Sequence, residues 1–240
     1  MRNLVLFLLL IQTTIWAQNA PHRFYENSKC GYIAANEKLL LPPVYDAGSE
    51  FKNGLAIVVK QNKRAFINEQ GLFVTEFIYD DASLPSDGLC KIMKKGKYGF
   101  MDVTGKIVID FTYTFADDFN NGLARVQINN LYGYINTKGE LVIPAVYKEA
   151  NNFNEEFASV YNGTKWGFIN TSNKNVIPFI YDRAYMFNKG MCAVLKDTKK
   201  YFIDKNNQFV KEQQKSRDEQ EWEEKARERK EHKKGAHNGK

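Results

Sequence analysis

Apolar and polar positions follow one another along this chain in a pattern that returns every 34 residues. The clearest copy is Trp166–Asn170, in which ring or aliphatic side chains alternate with small or polar ones. Self-similarity at a fixed period predicts a repeat architecture, in which each repeat is one supersecondary unit. The other copies of this segment are Cys30–Ala34, Arg64–Asn68, Tyr98–Asp102, Tyr132–Asn136 and Lys200–Asp204.

Three short apolar runs divide each repeat. In the fourth repeat the first run is Tyr132–Asn136, and a turn that closes on Gly139 leads to the second run, Glu140–Ile143. A third, alternating run follows a loop, as Gly122–Ile128 does in the repeat before. This pattern predicts three strands per repeat, the second of which ends at a proline such as Pro144. The recurring structural positions are Tyr45, Tyr79, Tyr113, Tyr147 and Tyr181, together with Gly99, Gly133 and Gly167.

A single three-stranded unit cannot bury its own apolar face, so neighbouring repeats must cover one another. The sequence therefore predicts an all-β array of tandem 34-residue, three-stranded repeats. The period leaves two arrangements open, a propeller-like ring and an open β-solenoid. The predicted repeats are residues 30–63, 64–97, 98–131, 132–165 and 166–199, with a partial sixth repeat at 200–210.

Both ends of the chain depart from the repeat pattern. Residues 1–17 have the pattern of a secretory signal peptide, because Arg2 precedes an apolar run and Ala17 offers a small residue for cleavage. The run is too short to span a bilayer, so we expect an exported protein, periplasmic or secreted, without a transmembrane segment. Residues 18–29 form a lead without periodicity. Residues 211–240 predict a charged tail that is helical or disordered.

The repeat motif is Trp/Tyr-Gly-Phe/Tyr-Ile-Asn, followed by Val-Ile-Pro, by Tyr-Asp and by Gly-Leu-Ala-x-Val. It resembles the WG-repeat family of bacterial proteins. The resemblance covers about residues 31–210 and is sharpest at Trp166-Gly167, whereas Arg64-Ala65 and Cys30-Gly31 depart from it. The resemblance implies a β-repeat scaffold, often exported, and most members of that family have no assigned activity. The resemblance therefore assigns no catalytic residues to this chain.

Charge and cysteine positions narrow the possible partners. The net charge is +6, but the chain between leader and tail holds 23 basic and 20 acidic residues, interspersed along the sequence. A nucleic-acid binder concentrates Lys and Arg on one face, so we expect no nucleic-acid partner. Cys90 and Cys192 fall in the small slot of Ala124, which favours buried free thiols. A disulfide between them would require strands three periods apart to be neighbours in space. Cys30 occupies the position that Trp or Tyr has in other repeats, and the sequence does not decide whether its side chain is buried or exposed.

No constellation of catalytic or metal-binding residues falls within the repeats, so we expect no enzyme, no metal and no cofactor. Histidine, the commonest general base and metal ligand, occurs only outside the repeats. The three histidines are His22, His232 and His237. The best candidates for carboxylate chemistry are Asp46, Asp80 and Asp182, which follow the repeated tyrosine. Their recurrence favours turn caps instead, in which the side chain binds backbone amides two residues on. Asp117 and Asp118 occur in one repeat only.

Positions that are alike in every repeat serve the fold, so binding specificity is expected where repeats differ. Repeat two differs most, with Arg64 in a ring slot and Leu84, Pro85 and Ser86 where other repeats place a phenylalanine. Drift, or packing against the lead, would explain the same differences. A second candidate is the ring column, which predicts either a stacking face for glycans or peptides or a seal between repeats. The column consists of Tyr98, Tyr132 and Trp166.

Three functions are consistent with this sequence. The first is an exported, non-enzymatic scaffold that binds a protein or an envelope polymer through one face of the array. The second is a polymer-directed hydrolase, which needs two singular carboxylates that meet in one cleft. The third is a structural spacer whose charged C-terminal tail binds the partner. The sequence does not fix the oligomeric state.

Overall fold

The structure, a computed structural model, describes residues 20–212. These residues form 22 β-strands in six small antiparallel sheets that follow one another along the chain, which confirms the all-β array. They contain no helix long and apolar enough to cross a membrane. The predicted signal peptide and nearly all of the predicted tail, with its possible helix, lie outside the described residues.

The strands are numbered along the chain. The first sheet contains β1 (His22–Glu26), β2 (Lys29–Ile33) and β3 (Leu39–Tyr45), and the second contains β4 (Ala47–Gly48), β5 (Leu55–Lys60) and β6 (Lys63–Asn68). The third contains β7 (Asp81–Ala82), β8 (Leu89–Lys94), β9 (Lys97–Asp102) and β10 (Ile107–Tyr113). The fourth contains β11 (Phe115–Ala116), β12 (Leu123–Ile128), β13 (Leu131–Asn136) and β14 (Leu141–Tyr147). The fifth contains β15 (Glu149–Ala150), β16 (Phe157–Tyr161), β17 (Trp166–Asn170) and β18 (Asn175–Tyr181). The sixth contains β19 (Arg183–Ala184), β20 (Met191–Lys196), β21 (Lys199–Asp204) and β22 (Phe209–Glu212).

Each predicted repeat is divided between two sheets. β12 pairs with β13 from Leu123↔Asn136 to Ile128↔Leu131, although the two strands belong to different predicted repeats. The turn Asn129–Asn130 joins them with φ of 51° and 64°, as a two-residue type I′ hairpin requires. The three strands of a predicted repeat are therefore present, but they do not all belong to one sheet. A sheet combines the last strand of one repeat with the first two strands of the next.

A short strand completes most sheets. Tyr147 ends β14, and one residue later β15 opens the next sheet by pairing with β16. The chain thus passes from sheet to sheet within one nearly continuous extended segment, which keeps consecutive sheets adjacent. The resulting four-stranded meander, in the order β15-β16-β17-β18, has the form of a propeller blade.

Strands extend beyond the predicted repeat domain at both ends. Residues 22–26 of the predicted lead form β1, which pairs with β2 from His22↔Ile33 to Glu26↔Lys29. β1 takes the place in the first sheet that β12 has in the fourth. At the other end β22 runs to Glu212, two residues into the predicted tail. The lead has too little apolar alternation to predict a strand from its sequence. It becomes a strand because it pairs with β2.

Proline does not end the second strand of a repeat, contrary to the prediction. β14 continues through Pro144 to Tyr147, with a shift in its register against β13 after Ile143. Proline is tolerated there because β14 lies at the edge of its sheet. The same edge position holds a proline or an acid in every repeat, and both discourage pairing with a strand of another chain. The residues are Pro42, Glu76, Asp110, Pro144 and Pro178.

The register shift explains the glycine of the repeat motif. The bulge brings β14 so close that a Cβ at Gly133 would lie 2.6 Å from the oxygen of Ile143 and 2.7 Å from the nitrogen of Ala145. In the second sheet Ala65 stands in this position. Residues 73–79, which correspond to the edge strand, form only two isolated bridges with β6. We attribute this irregular edge to the methyl group of Ala65.

Five hydrophobic clusters fill the contacts between consecutive sheets, and within residues 20–212 none joins the first sheet to the last. Both faces of a sheet take part. Ala124 and Val126 of β12 belong to the cluster shared with the third sheet, whereas Leu123 packs against the cluster shared with the fifth. The five repeated tyrosines are all buried, with exposed fractions between 1% and 8%: Tyr45, Tyr79, Tyr113, Tyr147 and Tyr181.

All three cysteines are free and buried. Cys90 and Cys192 belong to clusters between sheets, which confirms the predicted buried thiols. Cys30 is also fully buried, because its Sγ packs against Gly48, where a Cβ would lie 2.7 Å from it. Burial raises the pKa of Cys90 and of Cys192 to about 12, and it raises the pKa of Cys30 as well.

Gly133→Ala is expected to lower the free energy of unfolding by about 1–3 kcal/mol, because the new methyl group collides with the bulge of β14. Urea denaturation of the full chain measures the change. Ala65→Gly is the matched variant, since it removes the methyl group from the sheet whose edge is already irregular. It should change the free energy of unfolding by no more than about 1 kcal/mol. Equal stability of Gly133→Ala and the parent chain would contradict the close-approach explanation.

The native chain is expected to react slowly with a chromogenic thiol reagent near neutral pH. Its thiols are buried and protonated, and the thiolate is the reactive form. Adding denaturant should expose all three cysteines at once. The measurement counts reacted thiols before and after unfolding. Rapid labelling of one thiol in the native chain, mapped to Cys30 by mass spectrometry, would show that Cys30 is accessible after all.

Candidate binding surface at the hairpin tips

The ring column lies in the contacts between sheets. Trp166 is buried, and its ring centroid lies 5.6 Å from that of Tyr161. Tyr132 packs against Phe115 at 5.9 Å, with the Arg125 guanidinium 5.3 Å from the tyrosine ring centroid. Tyr98 packs against the cluster between the third and fourth sheets. These contacts of Trp166 and Tyr132 lie within one sheet, but both rings, like Tyr98, also pack into clusters between consecutive sheets. A packing role between repeats is one of the two uses that the sequence left open.

The distinctive residues of repeat two are held by other parts of the fold. Pro85 is buried in the slot that phenylalanines fill elsewhere, and Leu84 packs against the cluster between the second and third sheets. The Ser86 hydroxyl donates a hydrogen bond to the carbonyl of Phe119 at 2.7 Å. The Arg64 guanidinium donates to the carbonyl of Asp80 and lies 3.5 Å from the Asp81 carboxylate. The structure does not bring these four residues together with the ring column into one pocket.

The recurrent aspartates connect neighbouring hairpins. Asp46 accepts hydrogen bonds from the Lys29 ammonium and from the backbone N–H of Gln61, both at 2.7 Å. Asp80 binds the Lys63 ammonium and the backbone N–H of Lys95 in the same way. The predicted caps thus exist, but each reaches a backbone amide 15 residues on rather than two. Periodicity alone did not reveal which turn the carboxylate would meet.

Asp182 repeats this arrangement between the fifth and sixth sheets. It accepts hydrogen bonds from the Lys165 ammonium and from the backbone N–H of Asp197, the latter at 2.9 Å. The hydrogen bond from Lys165, followed by the backbone donor, lowers the pKa of Asp182. The lysine and backbone donors at Asp46 and Asp80 lower the pKa of those carboxyls too. Each of these carboxylates thus binds a lysine beside one turn and a backbone N–H of the next turn.

The aspartate bridges place consecutive turns at the same end of the stack. We call this end the tip surface; it comprises the turns that join β1 to β2, β5 to β6, β8 to β9, β12 to β13, β16 to β17 and β20 to β21. Lysines flank or occupy five of these six turns. They are Lys29, Lys60, Lys63, Lys94, Lys95, Lys97, Lys165, Lys196 and Lys199.

The opposite end of the sheets has a different charge pattern. There the turns 34–38, 68–72, 102–106, 136–140, 170–174 and 204–208 carry five lysines and five acidic residues. At the tip surface only Lys29, Lys63 and Lys165 have a carboxylate within salt-bridge distance among residues 20–212. The fold therefore sorts charges that are interspersed in the sequence.

The third tip has the strongest local charge. Lys97 occupies the slot of Lys63 and Lys165, but the residue 17 positions on is Thr114 instead of an aspartate. Lys94, Lys95 and Lys97 line a pocket of about 260 Å³ together with Phe111. In the described part of the chain none of these three lysines forms a salt bridge. Three lysines that line one pocket give it a positive potential, which attracts an anionic group.

The remaining acidic candidates are paired with cations. Asp117 binds Arg125 at 2.8 Å, and Asp118 lies 3.4 Å from the Lys91 ammonium. Asp118 also accepts a hydrogen bond from the Ser83 hydroxyl at 2.6 Å. Across residues 20–212 no three His, Cys, Asp or Glu side chains group as a metal site would require.

The lysine pocket was missed in the sequence, although a signal for it exists. The run Lys94-Lys95-Gly96-Lys97 surrounds a two-residue turn, and Gly96 has φ of 73°. Such a turn between two alternating apolar runs is typical of a hairpin. Recognising the hairpin would have predicted three clustered lysines. Phe111 has no comparable signal, because its position depends on how β10 returns past the turn.

The family profile described as WG containing repeat matches residues 31–63, 65–98, 98–132, 132–166 and 166–201. These matches cover most of the chain. The chain belongs to the WG-containing repeat family. No curated protein matches this WG-repeat chain in sequence.

One solved structure is similar in fold at low sequence identity. A crystal structure described as that of the eukaryotic initiation factor is 12% identical, with a TM-score of 0.52, and the match covers 82% of this WG-repeat chain and 62% of that chain. The match thus spans less than two thirds of the initiation factor structure, and it shows the fold alone.

Two further structures have lower scores. Kluyveromyces lactis Hsv2p is 13% identical with a TM-score of 0.44, over 78% of this chain and 72% of that one. A Bacteroides caccae protein of unknown function is 12% identical with a TM-score of 0.31, over 80% and 92%. At these TM-scores the two structures carry no argument about this chain.

Asp182→Asn is expected to destabilise the WG-repeat chain at neutral pH, because the lowered pKa of Asp182 means that folding favours its charged form. This contribution is present above the unfolded-state pKa of about 3.9 and is lost as the pH falls through the lower folded-state value. Denaturation midpoints of the two chains should therefore converge in acid. Glu149→Gln, an exposed carboxylate without a partner among residues 20–212, should show no such gap. A gap for Asp182→Asn that persists at the lowest pH would mean that charge is not its cause.

Proposed function

We propose that this WG-repeat protein is an exported, non-enzymatic scaffold that binds a protein or an envelope polymer through its tip surface. The proposal rests on five of the six tip turns, which share one backbone conformation but differ in their side chains. Five tip turns share two consecutive residues with positive φ, yet no two of them have the same pair of side chains. The turns are Asn27–Ser28, Gln61–Asn62, Lys95–Gly96, Asn129–Asn130 and Asp197–Thr198.

Such an arrangement suits recognition better than catalysis. Binding residues are disproportionately found on loops that a rigid scaffold positions, whereas the repeated side chains of this chain are used up in packing. Asp46, Asp80 and Asp182 hold turns together and carry lowered pKa values, which suits structural ion pairs and opposes the role of a general acid. Export is supported by the signal-like pattern of residues 1–17.

The proposal is tested by titrating a fluorescently labelled full chain with isolated cell-envelope material, separated into protein-rich and polysaccharide-rich fractions. One fraction is expected to bind saturably, and unlabelled chain should compete for it. The same titration with a chain that ends at Glu212 separates the scaffold from a spacer that works through its tail. The scaffold keeps its ligand without residues 213–240.

Two results would count against the scaffold. The first is the absence of saturable binding in every fraction. The second is binding that disappears when the chain ends at Glu212, because the tail would then be the working part.

A further inference from the structure

We propose that an acidic polysaccharide is the partner of the tip surface and that the third tip, with Lys94, Lys95, Lys97 and Phe111, is the centre of its binding site. The inference rests on the proposed function and names the partner for it. Its basis is the way in which the fold distributes lysine, which no single repeat displays.

The first step is the segregation of charge. Nine lysines flank or occupy the tip turns, and three of them form salt bridges with Asp46, Asp80 and Asp182. Counted in the same way, the tip turns carry two acidic residues, Glu26 and Asp197, whereas the turns at the opposite end carry five lysines and five acidic residues. Like charges kept together at one end, with no carboxylate of residues 20–212 to neutralise most of them, produce a positive potential that attracts an anionic polymer.

The second step is the local departure at the third tip. In the repeats with Lys29, Lys63 and Lys165, an aspartate 17 positions on binds the lysine. Thr114 stands in that position for Lys97, and its hydroxyl donates instead toward the carbonyl of Gln127 at 3.4 Å. The fold therefore has a standard way to neutralise this lysine and does not use it here. The two neighbouring lysines add to the same pocket.

The third step is the shape and the lining of the surface. The half-buried Phe111 ring, stacked on Tyr79 at 6.3 Å, gives the pocket an apolar wall against which the C–H face of a sugar ring packs. Stacked sheets lie about 10 Å apart, so lysines on successive tips recur at that interval. In an extended two-fold polysaccharide with an acid group on every sugar, every second acid group faces the same side of the chain and can meet successive tips.

The side chains favour such a polymer over a nucleic acid. The tip turns carry lysines and no arginine, whereas bidentate recognition of phosphate and stacking on bases are properties of arginine. Proteins that bind single strands use several aromatic side chains as stacking platforms, and the pocket supplies only Phe111. Lysine carries a point charge on a flexible side chain, which suits a polymer of carboxylates that is bound through its charge.

The test measures binding of fluorescein-labelled polygalacturonate to the full chain by anisotropy, at low and at physiological ionic strength. The variant K94Q/K95Q/K97Q should bind about tenfold more weakly at low salt, with a reduced salt dependence. The control K38Q/K106Q/K138Q removes the same charge from the opposite end and should bind like the parent. Thr114→Asp, which offers Lys97 the carboxylate found in other repeats, should weaken binding about threefold without removing any lysine. Unchanged denaturation midpoints show that the variants are folded.

The outcomes separate this inference from the proposed function. Equal losses in the two triple variants would show a general effect of net charge and would overturn the site. Binding of a single-stranded oligonucleotide that is tighter than that of polygalacturonate, and is lost in K94Q/K95Q/K97Q, would overturn the choice of partner. Saturable binding to a neutral envelope polymer or a protein, with none to polygalacturonate, would overturn this inference and leave the scaffold intact. No saturable binding to any of these would remove both.

Discussion

Mutual cover between neighbouring sheets is the interaction on which this structure depends. A sheet of three or four short strands with apolar side chains on both faces has no means of keeping water from either, and its neighbours supply that cover. The clusters between consecutive sheets consist of the residues that recur in the sequence, including the five buried tyrosines. Because the same contact is formed at each step, the packing fixes the repeated positions and leaves the turns free to vary.

The sequence predicts the composition of the sheets better than their connections. The apolar columns, the turn at Asn136–Gly139 and the buried Cys90 and Cys192 all follow from periodicity and side-chain size. Periodicity cannot decide whether the third strand pairs within its own repeat or with the next one, since the two choices have the same pattern. The turn Asn129–Asn130 held that information, because two left-handed residues between alternating runs indicate a tight hairpin. The strand in the lead could not be predicted, because its register comes from β2.

The candidate site was hidden from the sequence for a related reason. Lysines and acids are interspersed along the chain, and only the antiparallel meander assigns alternate turns to opposite ends of a sheet. The aspartates were correctly interpreted as turn caps, but their partners lie one hairpin further on than local turn chemistry suggests. A bridge between neighbouring tips requires knowledge of which turns are adjacent in space. That knowledge comes from packing rather than from spacing.

The division of each repeat between two sheets has a consequence for how such chains change length. Duplication or loss of 34 residues inside the array rejoins equivalent halves of a sheet, so a complete hairpin is re-formed across the junction. The two ends do not share this freedom. The first sheet contains β1, which lies outside the repeats, and the last sheet contains β22. A gene that gains or loses whole repeats must therefore preserve the segments that encode these two strands.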